Sequence, residues 1–481
     1  MKLRLNRILM CKLKLNKIIL IFLLSLFYCQ LFSQKALSLN EVKNEADRYF
    51  EDGEFTKAYK PYTQLVANYP KDPEYNYRLG VCMIYCEPDK KKCITYLKTA
   101  SKNSEESPKD VKFYLGKAYH INYLFDEAIK CYSEYKLIGT SVQQKKLQVD
   151  QEIKACENGK RLLSNMTDLV VQSKKQLNEL DYFRSYDLKS IGGKLLIKPD
   201  EFKTSADKKK KEKSILFLPK GSNTIYYSSY GDNPLDGKDI YTSTKQADNS
   251  FSKGEKVSGI NTEFDEDYPF LHPDGKTLYF ASKGFNSMGG YDIFKSVYDE
   301  ENKIWGNPKN MEFPINSPDD DFLFVTDSAE TTAYFSTGRQ SPPGKIDVLK
   351  INTKRRPLDV LVIKGNLFKE SKDQFLSGKI FIKNIETQDS IGTFKTSDSG
   401  DYLFDLPNGA KLLFTVETPG LNTQSDTVNL PLATTSKPYR QTISYLEDKL
   451  VITNFFDESS SDDNYIQYLK VIEKKAKLDV N

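Results

Sequence analysis

Histidine, tryptophan and the common catalytic motifs are scarce in this 481-residue chain. It contains two histidines, His120 and His272, and a single tryptophan, Trp305. No Cys-x-x-Cys pair, no pair of histidines at metal-binding spacing and no Gly-x-Ser-x-Gly sequence occurs, which argues against a zinc site and a serine hydrolase. We therefore predict no catalytic, cofactor-binding or metal-binding residue, and a protein that is not an enzyme. An unrecognised pair of carboxylates is the alternative that remains open.

The sequence also lacks a large charge excess and long apolar runs. Its 70 Lys and Arg residues nearly balance its 66 Asp and Glu residues, for a formal net charge of +4, whereas nucleic-acid-binding proteins usually concentrate more positive charge. Beyond the N-terminus no stretch reaches the roughly 18 apolar residues of a membrane-spanning helix. We expect no nucleic-acid partner and no transmembrane span in the mature chain.

The N-terminus has the pattern of a secretory signal peptide. Six basic residues accompany an eleven-residue apolar run, Ile18 to Tyr28, which is too short to cross a bilayer of roughly 30 Å. We expect residues 1–33 to be removed and the mature protein to be exported. Lipid attachment at Cys29 is an alternative, although Tyr28 is larger than the side chain that lipoprotein signals favour at the preceding position.

Five of the seven cysteines follow this segment. An exported compartment permits disulfides, and an odd number leaves at least one thiol free or paired with another chain. We favour the interpretation that most are small buried core residues. The five are Cys82, Cys86, Cys93, Cys131 and Cys156.

Residues 39–164 follow the spacing of tetratricopeptide repeats (TPR), which are helix–turn–helix units of about 34 residues. The small residues Ala46, Gly80 and Gly116 recur at close to this interval. A small residue is needed there because the two helices of a unit meet closely. Three repeats and a capping helix predict a concave groove for a peptide or partner helix; a spacer that only positions the next domain is the alternative.

A second repeat, of about 50 residues, predicts a β-propeller over residues 166–355. Each copy has a short aromatic strand followed by an Asp-containing strand, and Asp239, Asp292 and Asp347 occupy equivalent positions in successive copies. Such a unit cannot bury its own faces, so the copies must stack. The expected blades are 214–267, 268–321, 322–353 and a fourth, degenerate one at 166–213.

Acidic triplets begin two successive blades of this region. Asp265-Glu266-Asp267 and Asp319-Asp320-Asp321 are separated by one repeat. Calcium coordination is one hypothesis, because a hard cation takes several oxygen ligands. The alternative, turn formation and salt bridging at the blade junctions, is favoured because the triplets recur in register with the repeat. The lysine run 208–211 is expected to be a solvated surface loop.

Short strands separated by frequent turns predict a small β-sandwich at residues 358–432. The tail, 433–481, contains an acidic, Ser-rich stretch and a candidate amphipathic helix from Tyr465 to Lys477. The expected fold class is therefore multidomain: an all-α TPR solenoid, then an all-β propeller, then a small β-sandwich.

Two motifs resemble known modules. The sequence from His272 to Phe280, followed by Gly289 to Phe294, resembles the PD40 repeat of WD40-like, TolB-type propellers. The segment 397–407 resembles the carboxypeptidase regulatory-like domain, a transthyretin-like sandwich without catalytic residues. With the signal peptide and TPR, this order resembles a family of Bacteroidetes envelope proteins, PorE-like and associated with type IX secretion. Members commonly end in an OmpA-like domain that binds peptidoglycan, whereas this sequence ends at Asn481 without one.

The resemblance implies a non-enzymatic scaffold in the periplasm or on the periplasmic face of the outer membrane. Such a protein would mediate protein–protein interactions in an envelope or type IX secretion complex, through the TPR groove and the propeller faces, without a cofactor. The alternative is a propeller that binds glycan or peptide ligands in polysaccharide or cell-wall handling, with peptidoglycan or another glycan as partner.

Overall fold

The computed structural model describes residues 38–102, 107–163, 168–233, 237–356, 360–369, 374–432, 439–446 and 449–456. A helical region comes first, and a β-rich region of several small sheets follows. The predicted signal peptide and the candidate helix at 465–477 lie outside the described residues. In the described ranges, no helix is long and apolar enough to cross a membrane.

The helices are α1 Leu39–Glu51, α2 Phe55–Asn68, α3 Pro73–Cys86, α4 Lys91–Ala100, α5 Val111–His120, α6 Phe125–Ile138, α7 Ser141–Lys146, α8 Val149–Leu162 and α9 Ser205–Lys209. The strands of the middle region are β1 Asp168–Asn178, β2 Lys194–Ile197, β3 Ile215–Leu218, β4 Thr224–Ser229, β5 Asp239–Thr244, β6 Glu255–Lys256, β7 Glu266–Leu271, β8 Thr277–Ser282, β9 Asp292–Asp299, β10 Ile304–Trp305, β11 Lys309–Asn310, β12 Asp321–Thr326, β13 Thr332–Thr337 and β14 Lys345–Arg356. The C-terminal strands are β15 Val360–Lys369, β16 Lys379–Asn384, β17 Ser390–Lys395, β18 Asp401–Pro407, β19 Lys411–Glu417, β20 Gln424–Asn429, β21 Tyr439–Leu446 and β22 Lys449–Phe456.

The helical repeats are confirmed, because α1 packs on α2, α3 on α4, and α5 on α6. A β-carbon added at Gly80 would lie 2.6 Å from Leu97 Cγ, and one at Gly116 would lie 2.8 Å from the Tyr132 ring. The small residues of the repeat therefore stand where its two helices touch. α8 follows the third pair and packs on α6.

We expect Gly116→Val to lower the free energy of unfolding of the helical region by about 1–3 kcal/mol, the usual cost of overpacking. Urea unfolding followed by circular dichroism at 222 nm measures this change. Lys130→Ala, at an exposed position of α6, is the control and should change stability by less than about 0.5 kcal/mol. A Gly116→Val protein as stable as wild type would show that α5 and α6 separate without cost.

The cysteines follow the favoured interpretation. Cys82, Cys93, Cys131 and Cys156 are buried, Cys86 is half-buried, and all five are free thiols. Burial raises the pKa of Cys93 to about 12, so its reactive thiolate is suppressed.

Each of the three β repeats contributes one main antiparallel sheet, in the orders β4-β5-β6, β7-β8-β9-β10 and β12-β13-β14, and β3 of the first repeat pairs separately with β2. The aromatic strands are β4, β8 and β13, and Asp239 and Asp292 begin β5 and β9. Neighbouring sheets pack on one another through aromatic rings. The Phe270 ring of β7 lies 4.7 Å from the Phe217 ring of β3, and Tyr279 of β8 lies 4.8 Å from Phe324 of β12, measured between centroids.

The expected fourth blade at 166–213 is wrong, and the described residues form separate small sheets rather than a closed propeller. The one long strand of this segment, β1, pairs with β14 at the edge of the third sheet. The short β2 pairs with β3, and the remainder forms turns and α9. The segment thus has too few strands for a sheet of its own.

The C-terminal strands form two four-stranded sheets, β18-β15-β21-β22 and β17-β16-β19-β20. Their facing side chains share one core, which includes Ile363, Phe404, Phe414 and Ile443. β21 pairs in parallel with β15 and antiparallel with β22. The sandwich therefore continues to Phe456, and the predicted boundary at 432 falls inside it.

Candidate functional site at the junction of the helical and β-rich regions

Three polar side chains of the helical region donate hydrogen bonds to one loop of the second β repeat. Gln151 Nε2 lies 2.9 Å from the Lys283 carbonyl oxygen, and Asn158 Nδ2 lies 2.9 Å from that of Ser287. His120 Nε2 lies 2.8 Å from the Met288 carbonyl oxygen. Because donors from α5 and α8 meet acceptors along one short segment, the loop 283–288 is held against the helices.

Apolar side chains pack beside these bonds. Met288 is fully buried in a cluster that otherwise contains mainly helical residues, including Phe125 and Cys156. Phe313 joins the cluster from the β-rich region, with its ring centroid 6.2 Å from that of Tyr123. Val362 of β15 also belongs to it, so the helices, the repeats and the sandwich share one buried contact.

The bonds of His120 require a charged ring. Its Nδ1 lies 3.1 Å from Glu152 Oε2, and its Nε2 faces the Met288 carbonyl. Both partners are acceptors, so both ring nitrogens must carry a proton. Burial opposes this charge, but Cys156 and Glu152 raise the pKa of His120 to about 10. The junction is therefore held by a buried imidazolium.

Glu152 supplies the matching negative charge. Its carboxylate also accepts hydrogen bonds from Lys117 Nζ at 2.9 Å and from the Tyr132 hydroxyl at 3.3 Å. Burial would raise the pKa of Glu152, but Lys117 and His120 lower it below the usual range. Every charge of this cluster thus has a partner, as buried charges require.

A cavity of about 460 Å³ opens beside the junction, and we call it the interdomain cleft. Its helical wall comes from α3, α5 and α8, and its other wall comes from the loops before β7, β9, β12 and β14. Apolar groups and charged groups of both signs line it. The side chains that define it are Tyr85, Lys117, Phe264, Lys283, Asp319 and Lys345.

The sequence predicted an open groove on the helical repeats. Loops of the β-rich region cover part of this helical surface. Tyr85 remains 43% exposed at the edge of the cleft, where its ring stacks on Phe55 with centroids 4.6 Å apart. Lys345, across the cleft, is exposed. Beside the covered part, the accessible helical surface faces a second wall across the interdomain cleft and does not form an open groove.

Among the carboxylates that line the cleft, Asp319 has the fewest hydrogen-bond and ion-pair partners. It is half-buried, and its side-chain oxygens accept no hydrogen bond from the described residues. Burial raises the pKa of Asp319 to about 6, an effect that Lys90 opposes and that Asp321 and Asp320 reinforce. A cationic group that entered the cleft would therefore be favoured beside Asp319.

One acidic residue of each triplet ties neighbouring sheets together. Asp265 Oδ1 accepts from the Lys238 backbone N–H at 2.9 Å, and Asp320 Oδ1 accepts from that of Tyr291 at 2.9 Å. In both cases the carboxylate joins the start of one sheet to the Asp-containing strand of the previous sheet.

The residues that follow Asp265 and Asp320 also make equivalent contacts, since each accepts a hydrogen bond from a Thr or Ser hydroxyl. Glu266 Oε1 accepts from Thr262 Oγ1 at 2.7 Å, and Asp321 Oδ2 accepts from Ser317 Oγ at 2.6 Å. Asp321 also pairs with Arg339 at 2.9 Å. Within the described ranges, no group of three or more His, Cys, Asp or Glu side chains is placed to hold a metal ion. The geometry supports turn formation and salt bridging over calcium coordination.

Two asparagines, whose role the sequence did not suggest, join neighbouring sheets. Asn316 Oδ1 accepts from the Ile293 N–H at 2.7 Å, and Asn316 Nδ2 donates to the Ile293 carbonyl at 2.9 Å. Asn261 makes the same pair of bonds to Ile240, at 2.7 and 3.0 Å. The sequence Ile-Asn-Thr/Ser recurs one repeat later, and this recurrence could have indicated an equivalent structural role for the two asparagines.

Asn316→Ala is expected to lower the free energy of unfolding by about 1–3 kcal/mol, because it leaves the backbone groups of Ile293 buried and unpaired. Urea unfolding monitored by the fluorescence of Trp305 measures the change in the same sheet. Asn302→Ala is the control, because Asn302 is exposed and, among the described residues, its side chain bonds only to Asp299. Equal, small effects of the two substitutions would contradict the assigned role.

A buried ionic cluster joins the segment before the first repeat to the first and second sheets, and sequence reasoning missed it. Lys198 lies 3.0 Å from Asp207 and 3.1 Å from Glu212. Lys238 lies 3.5 Å from the same Glu212 and 2.6 Å from Asp267. Lys198 is 1% exposed, which is rare for a lysine. The lysine run that follows, 208–211, is exposed as expected.

This cluster also contains a serine–lysine contact, since Lys238 Nζ donates to Ser214 Oγ at 2.9 Å. A lysine that activates a serine must lose its proton. Burial opposes the charge on Lys238, but Asp267 and Glu212 raise its pKa well above the ordinary value. The contact is suited to holding charge, not to generating a nucleophile.

The other histidine lies elsewhere. His272 Nε2 is 3.0 Å from the Asp327 carbonyl oxygen, at the turn between β7 and β8. The structure thus places His120 and His272 in separate structural contacts.

Comparisons with known proteins give weak similarities. No family model matches the chain. It is 24% identical over 230 residues to DnaJ homolog subfamily C member 3 of Rattus norvegicus, a match that covers 44% of this chain and 42% of that protein. The chain therefore spans less than half the length of this relative.

Solved structures give similarities that are too low to support an argument about the fold. A candidate cell adhesion protein of Bacteroides uniformis matches with a TM-score of 0.18 and 12% identity, over 50% of this chain and 92% of that one. One of Bacteroides ovatus matches with a TM-score of 0.15 and 10% identity, over 44% and 93%.

Proposed function

We propose that this protein is a non-enzymatic scaffold of the bacterial cell envelope that holds a peptide segment of a partner protein in the interdomain cleft. Its place would be the periplasm or the periplasmic face of the outer membrane, within an envelope or type IX secretion complex. The observation that carries this proposal is the cleft itself, an open cavity between two regions that are fixed to one another by a buried imidazolium.

The composition of the cleft suits a peptide. Tyr85 and Phe264 offer apolar surface, and pockets of several hundred Å³ with a few polar groups are typical binding sites. Asp319 would pair with a basic side chain, and Lys345 with an acidic one. Helical repeats commonly present such surfaces to partner proteins.

The fixed junction supports the same function. Because the loop 283–288 is bonded to α5 and α8, both walls of the cleft keep their positions before a partner arrives. A preformed site reduces the entropy that is lost on binding.

The proposal predicts site-specific crosslinking. A photo-crosslinking amino acid in place of Lys345, in the exported protein in its native envelope, is expected to capture a discrete protein product. The same residue in place of Lys395, which is exposed on β17 of the sandwich, is the control. The Lys345 product should decrease in Asp319→Asn and Tyr85→Ala backgrounds. Equal capture at both positions would contradict the proposal, and so would binding of isolated glycans with no protein product, which favours the alternative of a glycan-binding protein.

A further inference from the structure

A smaller cavity, of about 230 Å³, lies on one face of the third sheet. It belongs neither to the interdomain cleft nor to the buried ionic cluster. Residues of β1, β13 and β14 line it, together with the segment before β2. Its polar residues are Ser173, Lys175, Ser185, Asp187, Tyr334 and Lys350.

Strand register brings these residues together from distant parts of the sequence. Lys350 of β14 stands opposite Ser173 on one side and Tyr334 on the other. Lys175 lies two residues beyond Ser173 on β1, so it projects from the same face. Two lysines of neighbouring strands therefore stand diagonally on one face, within reach of the same ligand.

Neither ammonium group has a counterion in the part of the chain that the structure describes. Among the described residues, no carboxylate lies within ion-pair distance of Lys175 or Lys350, and the Lys350 ammonium lies 5.7 Å from the Tyr334 ring centroid. On the opposite face of β1, by contrast, Lys174 pairs with Asp347 at 2.8 Å. Two like charges that share a cavity repel one another, and an anion between them would relieve this repulsion.

The remaining groups suit a polar ligand of limited size. The hydroxyl of Ser173 has no hydrogen-bond partner in the described part of the chain, and that of Ser185 donates to the Tyr182 carbonyl at 2.8 Å. The cavity is smaller than the roughly 300 Å³ at which drug-sized pockets begin. The carboxylate of Asp187, also at the cavity, is bonded to the Lys189 backbone N–H at 3.2 Å and would repel an anion.

We propose that this cavity binds a small molecule with a phosphate or carboxylate group, no larger than about a monosaccharide. Lys175 and Lys350 bind the anionic group, the Ser173 hydroxyl donates to it, and the Tyr334 ring contacts the uncharged part of the ligand.

Isothermal titration calorimetry at low salt tests this proposal, with glucose 6-phosphate, glucuronate and glucose as probes. At least one anionic probe should bind the wild-type protein, and glucose should not. Lys175→Met and Lys350→Met should each weaken that binding about tenfold, as expected for a charge-assisted contact, and Asp187→Asn should strengthen it. Lys209→Met, at an exposed position of α9, should leave it unchanged.

The two anionic probes separate phosphate from carboxylate recognition. Circular dichroism of each variant excludes unfolding as the cause of lost binding. Absence of binding by both anionic probes would overturn the proposal, as would equal binding of glucose, or affinities that neither lysine substitution changes.

Discussion

Lys198→Met is expected to lower the free energy of unfolding of the β-rich region by about 3–5 kcal/mol, the usual cost of removing one partner from a buried ion pair. Lys198 is fully enclosed, and its ammonium group lies 3.0 Å from Asp207 and 3.1 Å from Glu212. Methionine fills a similar volume but leaves these carboxylates with one cation, Lys238, for the whole cluster. The loss of charge balance, not the loss of packing, causes the effect.

Trp305 makes this measurement specific. It is the single tryptophan of the chain and lies at the end of β10, so its fluorescence during urea unfolding reports on the repeats alone. Lys276→Met is the matched control, because Lys276 pairs with Glu300 in a contact where both side chains are more than half exposed; such pairs contribute at most about 1 kcal/mol. A loss at Lys198 no larger than the loss at Lys276 would refute the role assigned to the cluster.

His120→Gln is expected to destabilise the junction by about 3 kcal/mol at neutral pH, since hydrogen bonds to charged groups contribute about 1.5–3 kcal/mol each. The effect should depend on pH. The folded-state pKa of His120, about 10, lies above its ordinary value of about 6.5. Its stabilisation is therefore complete below about pH 6.5, decreases as the pH rises, and is lost above about pH 10.

The informative quantity is the difference in unfolding free energy between wild type and His120→Gln, measured at pH 6, 8 and 9.5. It should shrink as the pH rises, by at most about 1.4 kcal/mol per pH unit. Taking the difference cancels other groups that titrate in this range, such as Asp292, whose pKa burial raises to about 8. Glu152 has a lowered pKa and stays ionised throughout.

Gln151→Ala provides a neutral comparison at the same loop. It removes the bond to the Lys283 carbonyl, so a smaller loss that does not change with pH is expected. A pH-independent difference for His120→Gln would mean that the ring is neutral in the folded protein and that one of its two contacts is not a hydrogen bond.

Local repeats made much of the architecture predictable. Gly80 and Gly116 marked close helix contacts, because a small residue that recurs at the period of a helix pair indicates where the two helices meet. Asp239, Asp292 and Asp347 marked three sheets because alternating aromatic strands recurred around each of them. These signals depend on neighbours in sequence, which is why they could be detected without the structure.

Contacts between distant segments were not predictable in the same way. β1 completes a sheet whose other strands, β12 to β14, follow only at the end of the β repeats, and nothing in its own sequence specifies that partner. The Lys198 cluster was missed because a lysine normally indicates surface. His120 was noted only as an isolated histidine, since its partner in the β-rich region is the backbone carbonyl of Met288, a group that every residue type has.

The pairing of β1 with β14 also determines how the protein would respond to mechanical load. The pairing is antiparallel, and Asp168 stands opposite Arg356, so the connections to the helices and to the sandwich leave this pair of strands at the same end. Tension between the two flanking domains would therefore pull the strands apart one hydrogen bond at a time, from that end, instead of shearing them all together. Leu163 and Val362, which flank these two strands in sequence, belong to the same buried cluster as Met288, so this cluster would take up part of the load.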